Sequence, residues 1–413
     1  MTVTTGTSEI KVYGYRWVVL LAFVFGGFMT QVFWICYAPI NKVAAEALGV
    51  SDIAIGQLAM IFMYVFALLS LPTSWAVDLW GFKKSVSVGA ILLGAFGLLR
   101  GIFALNWPLT VITTIGIALS QPFFLNASTK CAATWFRLEE RATIVGLGGV
   151  AVILGIGVGQ IATPMMYQAW GLQTTMLIYG VVGVISALVF LIFAKDHPPT
   201  PAGHEERALV LDGFKLIFKL RDFYFLAFVA FVVNAIFNGI LTWVEVFVRP
   251  KGLDIDQAGL IGGLVLLGGI VGFLIFPSTS DRLRKRRSVL MVGSLLSVPF
   301  LVLLAYVNGF ALLGIVGFLV GLTVMGLWPL TMQYSAEICY PAPEGTSLGV
   351  LNLVGQVSVV GVYAMGWSNE AYGSFTPSLL VCAVGMAIGA VLVFIMKESK
   401  LIQAAKPTEG AKP

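Results

Sequence analysis

Three side chains able to hold a small cation without a negative charge fall within one apolar run. In "MTQVFWICYAP" (29–39), Gln31 and Tyr37 flank Trp34 at i−3 and i+3, so an unbroken helix sets all three on roughly one face. An aromatic face attracts a quaternary ammonium through its ring quadrupole, at about 2 kcal/mol or more when the contact is desolvated. Phe237, Trp243 and Trp328 are further rings in apolar runs, and Trp328 precedes Pro329 one turn from Thr331. Gln121, just before Pro122, and Gln356, one turn after Asn352, add amides that donate and accept without the cost of a buried charge. Each residue also has a plainer reading. A Trp can simply pack, Trp243 can belong to an interfacial belt, and Gln or Asn can bond between helices; for Asn234 and Asn352, packing weighs at least as much.

What the runs lack narrows the chemistry. Both histidines, His197 and His204, stand in one polar interruption, which leaves no imidazole for a proton relay or an axial haem ligand within the apolar runs. Asp and Glu residues fall at the ends of the runs rather than their centres, against the usual layout of a proton-coupled carrier. Glu245 is the nearest exception, placed to attract cations or gate one mouth, or simply to be solvated. Arg100 and Lys130 are the basic residues well inside runs, the places where an anionic ligand would be held, although Lys130 can snorkel to the surface. Cys36, Cys131, Cys339 and Cys382 are scattered singly, so they imply no disulfide or metal framework. We find no nucleotide-binding loop and no catalytic constellation, and expect neither an enzyme nor a cofactor.

The elements that must position these groups are membrane helices. Of the 413 residues, 58% are hydrophobic and 11% charged, with a mean hydropathy of +0.94, more apolar than one soluble core can hide. Twelve runs are long enough to cross about 30 Å of hydrocarbon: 15–40, 55–78, 84–105, 108–134, 142–167, 173–194, 223–248, 257–278, 288–306, 310–336, 345–367 and 373–396. They lack strand alternation, so the expectation is an all-α membrane protein rather than a barrel. With a cytoplasmic N-terminus, all Lys and Arg residues except Lys42, Arg100, Arg249 and Lys251 fall on the inner side. The positive-inside rule thus predicts both termini in the cytoplasm.

The longest polar interruption (194–222) divides six runs from six. It predicts an N-terminal bundle over 1–195, a cytoplasmic linker with an amphipathic segment over 196–222, and a C-terminal bundle with its tail over 223–413. An internal repeat agrees. Asp78 in "WAVDLWGFKK" and Asp281 in "STSDRLRKRR" are offset by 203, Glu140 and Glu344 by 204, and Arg16 and Arg221 by 205. The two bundles are therefore expected to be pseudo-symmetric. Asp78, Gly81, Lys83 and Lys84, with Asp281 and Arg282 in the second copy, can form charge-assisted latches between helices, and Glu140 and Glu344 fall at matching run ends.

The loop motif at Asp78, Gly81, Lys83 and Lys84 resembles the loop 2–3 signature of the major facilitator superfamily, with Leu79 in place of the usual Arg and Ser74 in place of the leading Gly. "RWVVLLAF", "QVFWICYAPI", "ALSQPFFLN", "SAEICYPAPEGTSLGVLN" and "VGQVSV" resemble the feline leukaemia virus subgroup C receptor-related family within it. The resemblance runs across nearly the whole membrane region. It implies transport of choline, and in some members ethanolamine or haem. The family's cage Trp of helix one matches Trp34, its helix-four Gln matches Gln121 and its helix-eleven Gln matches Gln356. Its helix-seven Tyr falls near Phe237, which lacks the hydroxyl.

These readings combine into an expectation of a rocker-switch transporter for choline or a related organic cation, working as a uniporter and lodged as a monomer in the plasma (inner) membrane. Its partners would be a small-molecule substrate and the lipid bilayer, with no nucleic acid. The alternative is an exporter of a larger amphipathic compound such as a drug, porphyrin or siderophore, with or without proton coupling. A non-transporting receptor on the same scaffold is disfavoured, since the chain carries no soluble signalling domain.

Overall fold

Backbone polar groups in hydrocarbon must be satisfied within the crossing segment or its neighbours, and an apolar run of about 20 residues does this as a helix. The computed structural model describes residues 13–136, 141–198, 216–340 and 344–399. Eleven stretches among them are long and apolar enough to cross a membrane. One of these, Leu147–Phe193, is a pair of helices broken at Gly171, whose φ of 76° is open to glycine without a Cβ penalty. The described residues thus supply the twelve crossings expected from the sequence.

Span one is α1 (Arg16–Ile35), a 3₁₀ turn (Ala38–Ile40) and α2 (Asn41–Leu48); spans two and three are α3 (Asp52–Trp80) and α4 (Phe82–Ile102). Span four is three pieces, α5 (Trp107–Ala118), α6 (Gln121–Asn126) and α7 (Ser128–Trp135). Spans five and six are α8 (141–170) and α9 (172–193). Spans seven to nine are α10 (Arg221–Val248), α11 (Ile255–Leu283) and α12 (Arg286–Tyr306). Span ten joins α13 (Phe310–Val320) to α14 (Leu327–Cys339) through a π-helical segment (Gly321–Met325), span eleven is α15 (Glu344–Val357) and α16 (Val359–Tyr372), and span twelve is α17 (Thr376–Ile395).

The chain packs as two units: Met1–Trp34, Leu68–Gly159 and Met166–Arg207 form the first, and Ile35–Ala67, Gln160–Met165 and Ala208–Pro413 the second. In unit 1, Phe23, Phe82, Phe124 and Phe190 form a buried ring cluster with centroids 5.4–6.3 Å apart. These are the separations at which edge-on aromatic packing is favourable. In unit 2, α11 lies directly on the π segment of span ten. A Cβ on Gly321 would lie 1.9 Å from the carbonyl oxygen of Val265, and one on Gly268 would lie 2.0 Å from that of Phe318. Small residues that let backbones touch are how membrane helices gain packing energy when lipid is as apolar as their side chains.

The described end of the linker packs apolar residues onto the helices of unit 2. Ile217 is wholly buried in a cluster with Phe223, Ala230, Cys339 and Leu351, and Leu216 and Leu220 pack against it. Its apolar positions are taken up by unit 2, while Phe218 stays half exposed. The rest of the linker's amphipathic stretch, up to residue 215, lies outside the described residues, as do Glu140 and the side chains of Asp78 and Glu344.

Candidate substrate-binding site

Helix interruptions mark most of the proposed ligand contacts. Pro39 has no N–H to give to the carbonyl of Ile35, and α1 ends there, one residue after Trp34. Pro122 likewise withholds a donor from span four, and the break is settled locally: the Ser120 hydroxyl donates to the Ile117 carbonyl at 2.5 Å, and Gln121 opens α6. In span eleven, Ser358 separates α15 from α16 and its hydroxyl donates to the Gly355 carbonyl at 2.5 Å, which leaves Gln356 next to the last residue of α15. Trp328 is the second residue of α14, just after the π segment. π segments recur at functional sites, and broken helices within a membrane persist where protein or a cavity surrounds them. Gln121 and Gln356, inside the apolar runs 108–134 and 345–367, thus stand at helix breaks.

Unit 1 carries Gln31, Trp34 and Gln121, which are 3%, 8% and 6% exposed. Gln31 donates to the Thr30 hydroxyl at 3.2 Å and packs on α8, where a Cβ on Gly155 would meet its own Cβ at 3.0 Å. The Gln121 side chain makes no hydrogen bond among the described residues, so its amide keeps unspent capacity.

Unit 2 carries Tyr37, Phe237, Trp328, Asn352 and Gln356. Trp328 and Asn234 converge on Gly355, whose Cβ, if it had one, would lie 3.1 Å from the Trp328 ring and 3.3 Å from the Asn234 amide. Gln356 is the next residue. Asn234 is satisfied by the Ala230 carbonyl of its own helix at 2.9 Å, whereas Trp328 and Gln356 are half-buried without a hydrogen-bond partner among the described residues. Phe237 lies one turn beyond Asn234 and is largely buried. Asn352 is exposed on the face of α15.

Two expectations need correction. Tyr37 does not continue the face of Gln31 and Trp34, because the helix has ended before it; it is buried, and the boundary between the units falls at Trp34 and Ile35. Trp243 is no interfacial anchor. It is 1% exposed, donates its indole N–H to the Val362 carbonyl at 2.9 Å, and fills slots left by Gly56 and Gly366. An apolar pocket beside it, lined by Phe247, Met365 and Phe375 among others, includes none of the proposed contacts.

At the loop motifs, turns with positive φ set the partners of the charged groups. Arg284 takes a left-handed backbone (φ 54°) at the end of α11 and turns the chain so that Arg286, rather than the exposed Arg282, meets Asp281 at 2.5 Å. Arg286 also pairs with Glu337 of α14 at 3.0 Å. In the first copy, Gly81 (φ 84°) precedes α4, and the backbone N–H of Lys83 donates to Asp196 at 2.9 Å. Lys84 is exposed.

A family model of the Major Facilitator Superfamily matches residues 23–360 and 251–413. The chain belongs to the major facilitator superfamily. It is a multi-pass membrane transporter and not an enzyme. It is 25% identical to the human choline/ethanolamine transporter FLVCR2, over 97% of this chain and 81% of that one. It is 27% identical to an uncharacterised MFS-type transporter of Caenorhabditis elegans, over 98% of this chain and 73% of that one. The solved structure of a bacterial homologue of the human lysosomal transporter Spinster, described as inward-facing and unoccupied, superposes with a TM-score of 0.78 at 14% identity, covering 93% of this chain and 97% of that one. This last likeness bears on the fold alone.

The partners of four polar anchors in this transporter had little signal in the sequence. Arg286 and Glu337 are 51 residues apart, and Asp196 and Lys83 are 113 apart. Gln160, wholly buried, donates to the Leu241 carbonyl at 2.9 Å and sits in a notch made by Gly259 and Gly262. Glu245 is the fourth: its carboxylate accepts the backbone N–H of Lys42 at 2.9 Å and the Arg249 guanidinium at 3.2 Å. The Glu245 side chain is 1% exposed, so it is not a solvated helix end.

Proposed function

We propose that this facilitator carries choline or a closely related small organic cation as a monomeric uniporter, by rocker-switch alternating access of two six-helix halves, 1–195 and 223–413, joined by the linker 196–222. Trp34, Trp328 and Phe237 supply ring faces for the ammonium head, and Gln121 and Gln356 supply amides for the hydroxyl end. Gln31, Tyr37 and Asn352 complete the walls. Several desolvated rings, at about 2 kcal/mol each, can offset the dehydration of a trimethylammonium head, which carries no N–H donors. A buried carboxylate is then unnecessary, in keeping with the placement of acidic residues at span ends.

The observation that carries the reading is that Gln121, Gln356 and Trp328 stand at helix breaks with their polar atoms uncommitted among the described residues. Full-length relatives named as choline/ethanolamine transporters add weight to the choice of substrate. We place the protein in the plasma (inner) membrane with both termini cytoplasmic. In that orientation Asp78, Gly81, Lys83, Lys84, Asp281, Arg282 and Arg286, together with Glu140 and Glu344, act in the inner gate, and Glu245 in the outer one.

The test is uptake of labelled choline into proteoliposomes, with and without a proton gradient. Saturable uptake that ignores the gradient supports the proposal. Absence of choline uptake combined with binding of a bulky amphipathic dye favours an exporter of larger compounds.

A further inference from the structure

Arg100 ends α4 with its guanidinium 1% exposed. Burial of a full charge is costly without compensation, and two helix ends provide it here. Both Nη atoms donate to the carbonyl of Phe33 at 3.2 Å. That carbonyl is among the last four of α1, the set that a helix end leaves without intrahelical donors. The guanidinium therefore stands at the negative ends of two helix dipoles, that of α1 and its own. The Phe33 side chain is held as well. Its ring centroid lies 4.8 Å from Arg100 Cζ, and the ring fills a notch between α4 and α9, where a Cβ on Gly97 or Gly183 would come within 2.7 or 2.9 Å of it. The residue that follows this clamped one is Trp34.

We propose that Arg100 is the positioning residue for Trp34. By holding the carbonyl before Trp34 and seating the ring beside it, Arg100 fixes the rotation and height of the last turn of α1, and with them the plane that the indole presents to the substrate. It sets affinity and selectivity without touching the ligand. A fixed indole distinguishes a trimethylammonium head, which can cover its face, from a primary ammonium, which cannot; a loose indole loses that distinction. The same burial removes Arg100 as a subsite for an anionic ligand. The inference rests on the proposed role of Trp34 as a substrate contact.

The test pairs transport with a measurement that needs no substrate. In Arg100→Gln, hydrogen exchange at the backbone amides of residues 35–38 should quicken about tenfold, the choline KM should rise about tenfold with Vmax nearly unchanged, and the preference for choline over ethanolamine should shrink. Arg100→Lys, which keeps the charge and loses the fork, should lie between. In a Trp34→Ala background, Arg100→Gln should add nothing to KM. If Arg100→Gln does not fold, Gly97→Ala approaches the clamp from the other side by displacing the Phe33 ring, and should raise KM in the same way. Unchanged exchange and KM in the variant that folds, or additive effects of Arg100→Gln and Trp34→Ala, would overturn the proposal. Faster exchange in a protein that takes up no choline in any form would leave the positioning role standing and remove the choline reading instead.

Discussion

Glu245→Gln should release α2 from α10. The carboxylate accepts the N–H of Lys42, the second residue of α2 and so one of the donors that a helix start leaves unpaired. A hydrogen bond to a charged acceptor contributes about 1.5–3 kcal/mol net, against about 0.5–1.5 kcal/mol for a neutral one. The carboxylate also faces the positive end of the α2 dipole, worth about 0.3–1 kcal/mol and up to ~2 kcal/mol when partly buried. The Arg249 pair adds little, because that side chain is 39% exposed and exposed pairs contribute about 0–1 kcal/mol. Gln keeps the volume and one acceptor, so the expected loss is about 2 kcal/mol, or roughly a 30-fold rise in the undocked population. Hydrogen exchange followed by mass spectrometry on the full-length protein reads this directly: the amides of 41–48 should exchange about 30-fold faster, with α12 and α17 unaffected. Exchange of 41–48 within threefold of wild type would refute the argument that this one carboxylate holds α2 in place.

Three further outcomes follow from packing and charge. Gly321→Ala should sharply lower the thermal unfolding midpoint in detergent, since its Cβ would lie 1.9 Å from the Val265 carbonyl oxygen and overpacking of this kind costs about 1–3 kcal/mol or more; a midpoint equal to wild type would show that α11 and span ten have room to part. Glu337→Gln removes one of the two carboxylates that face Arg286, whose side chain is 8% exposed, and a double-mutant cycle with Arg286→Gln should give a coupling of about 1–3 kcal/mol. A coupling near zero would mean that Asp281 alone holds Arg286. Ile217→Glu, which places a charge in a wholly buried position, should free the end of the linker to limited proteolysis, and an unchanged digestion pattern would contradict its burial.

The crossings were legible because a run of about 20 apolar residues leaves the backbone little choice but helix. The breaks within them were not, because each depends on a donor or acceptor supplied from elsewhere. Pro39 and Pro122 announce interruptions of spans one and four, but nothing near Phe33 in sequence tells that Arg100, 67 residues away, caps its carbonyl. Span eleven breaks at Ser358 with no proline at all. Trp243 looked like a belt residue because the glycines that hold it, Gly56 and Gly366, belong to other spans. That Asp281 pairs with Arg286 cannot be read from a run of basic residues, because it depends on the left-handed turn at Arg284. Trp34, Gln121, Gln356 and Trp328 stand out as candidates from residue type and position. What the structure added is that each borders a place where the helix stops.

The central claim is that an indole face at Trp34 binds the cation, and calorimetric titration of choline into wild type, Trp34→Phe and Trp34→Ala tests it most directly. A desolvated cation–π contact of about 2 kcal/mol corresponds to about a 30-fold change in Kd. Trp34→Ala should weaken binding by about that factor, and Trp34→Phe, which keeps a smaller ring, should fall between the two. Equal choline affinity in all three proteins would contradict it.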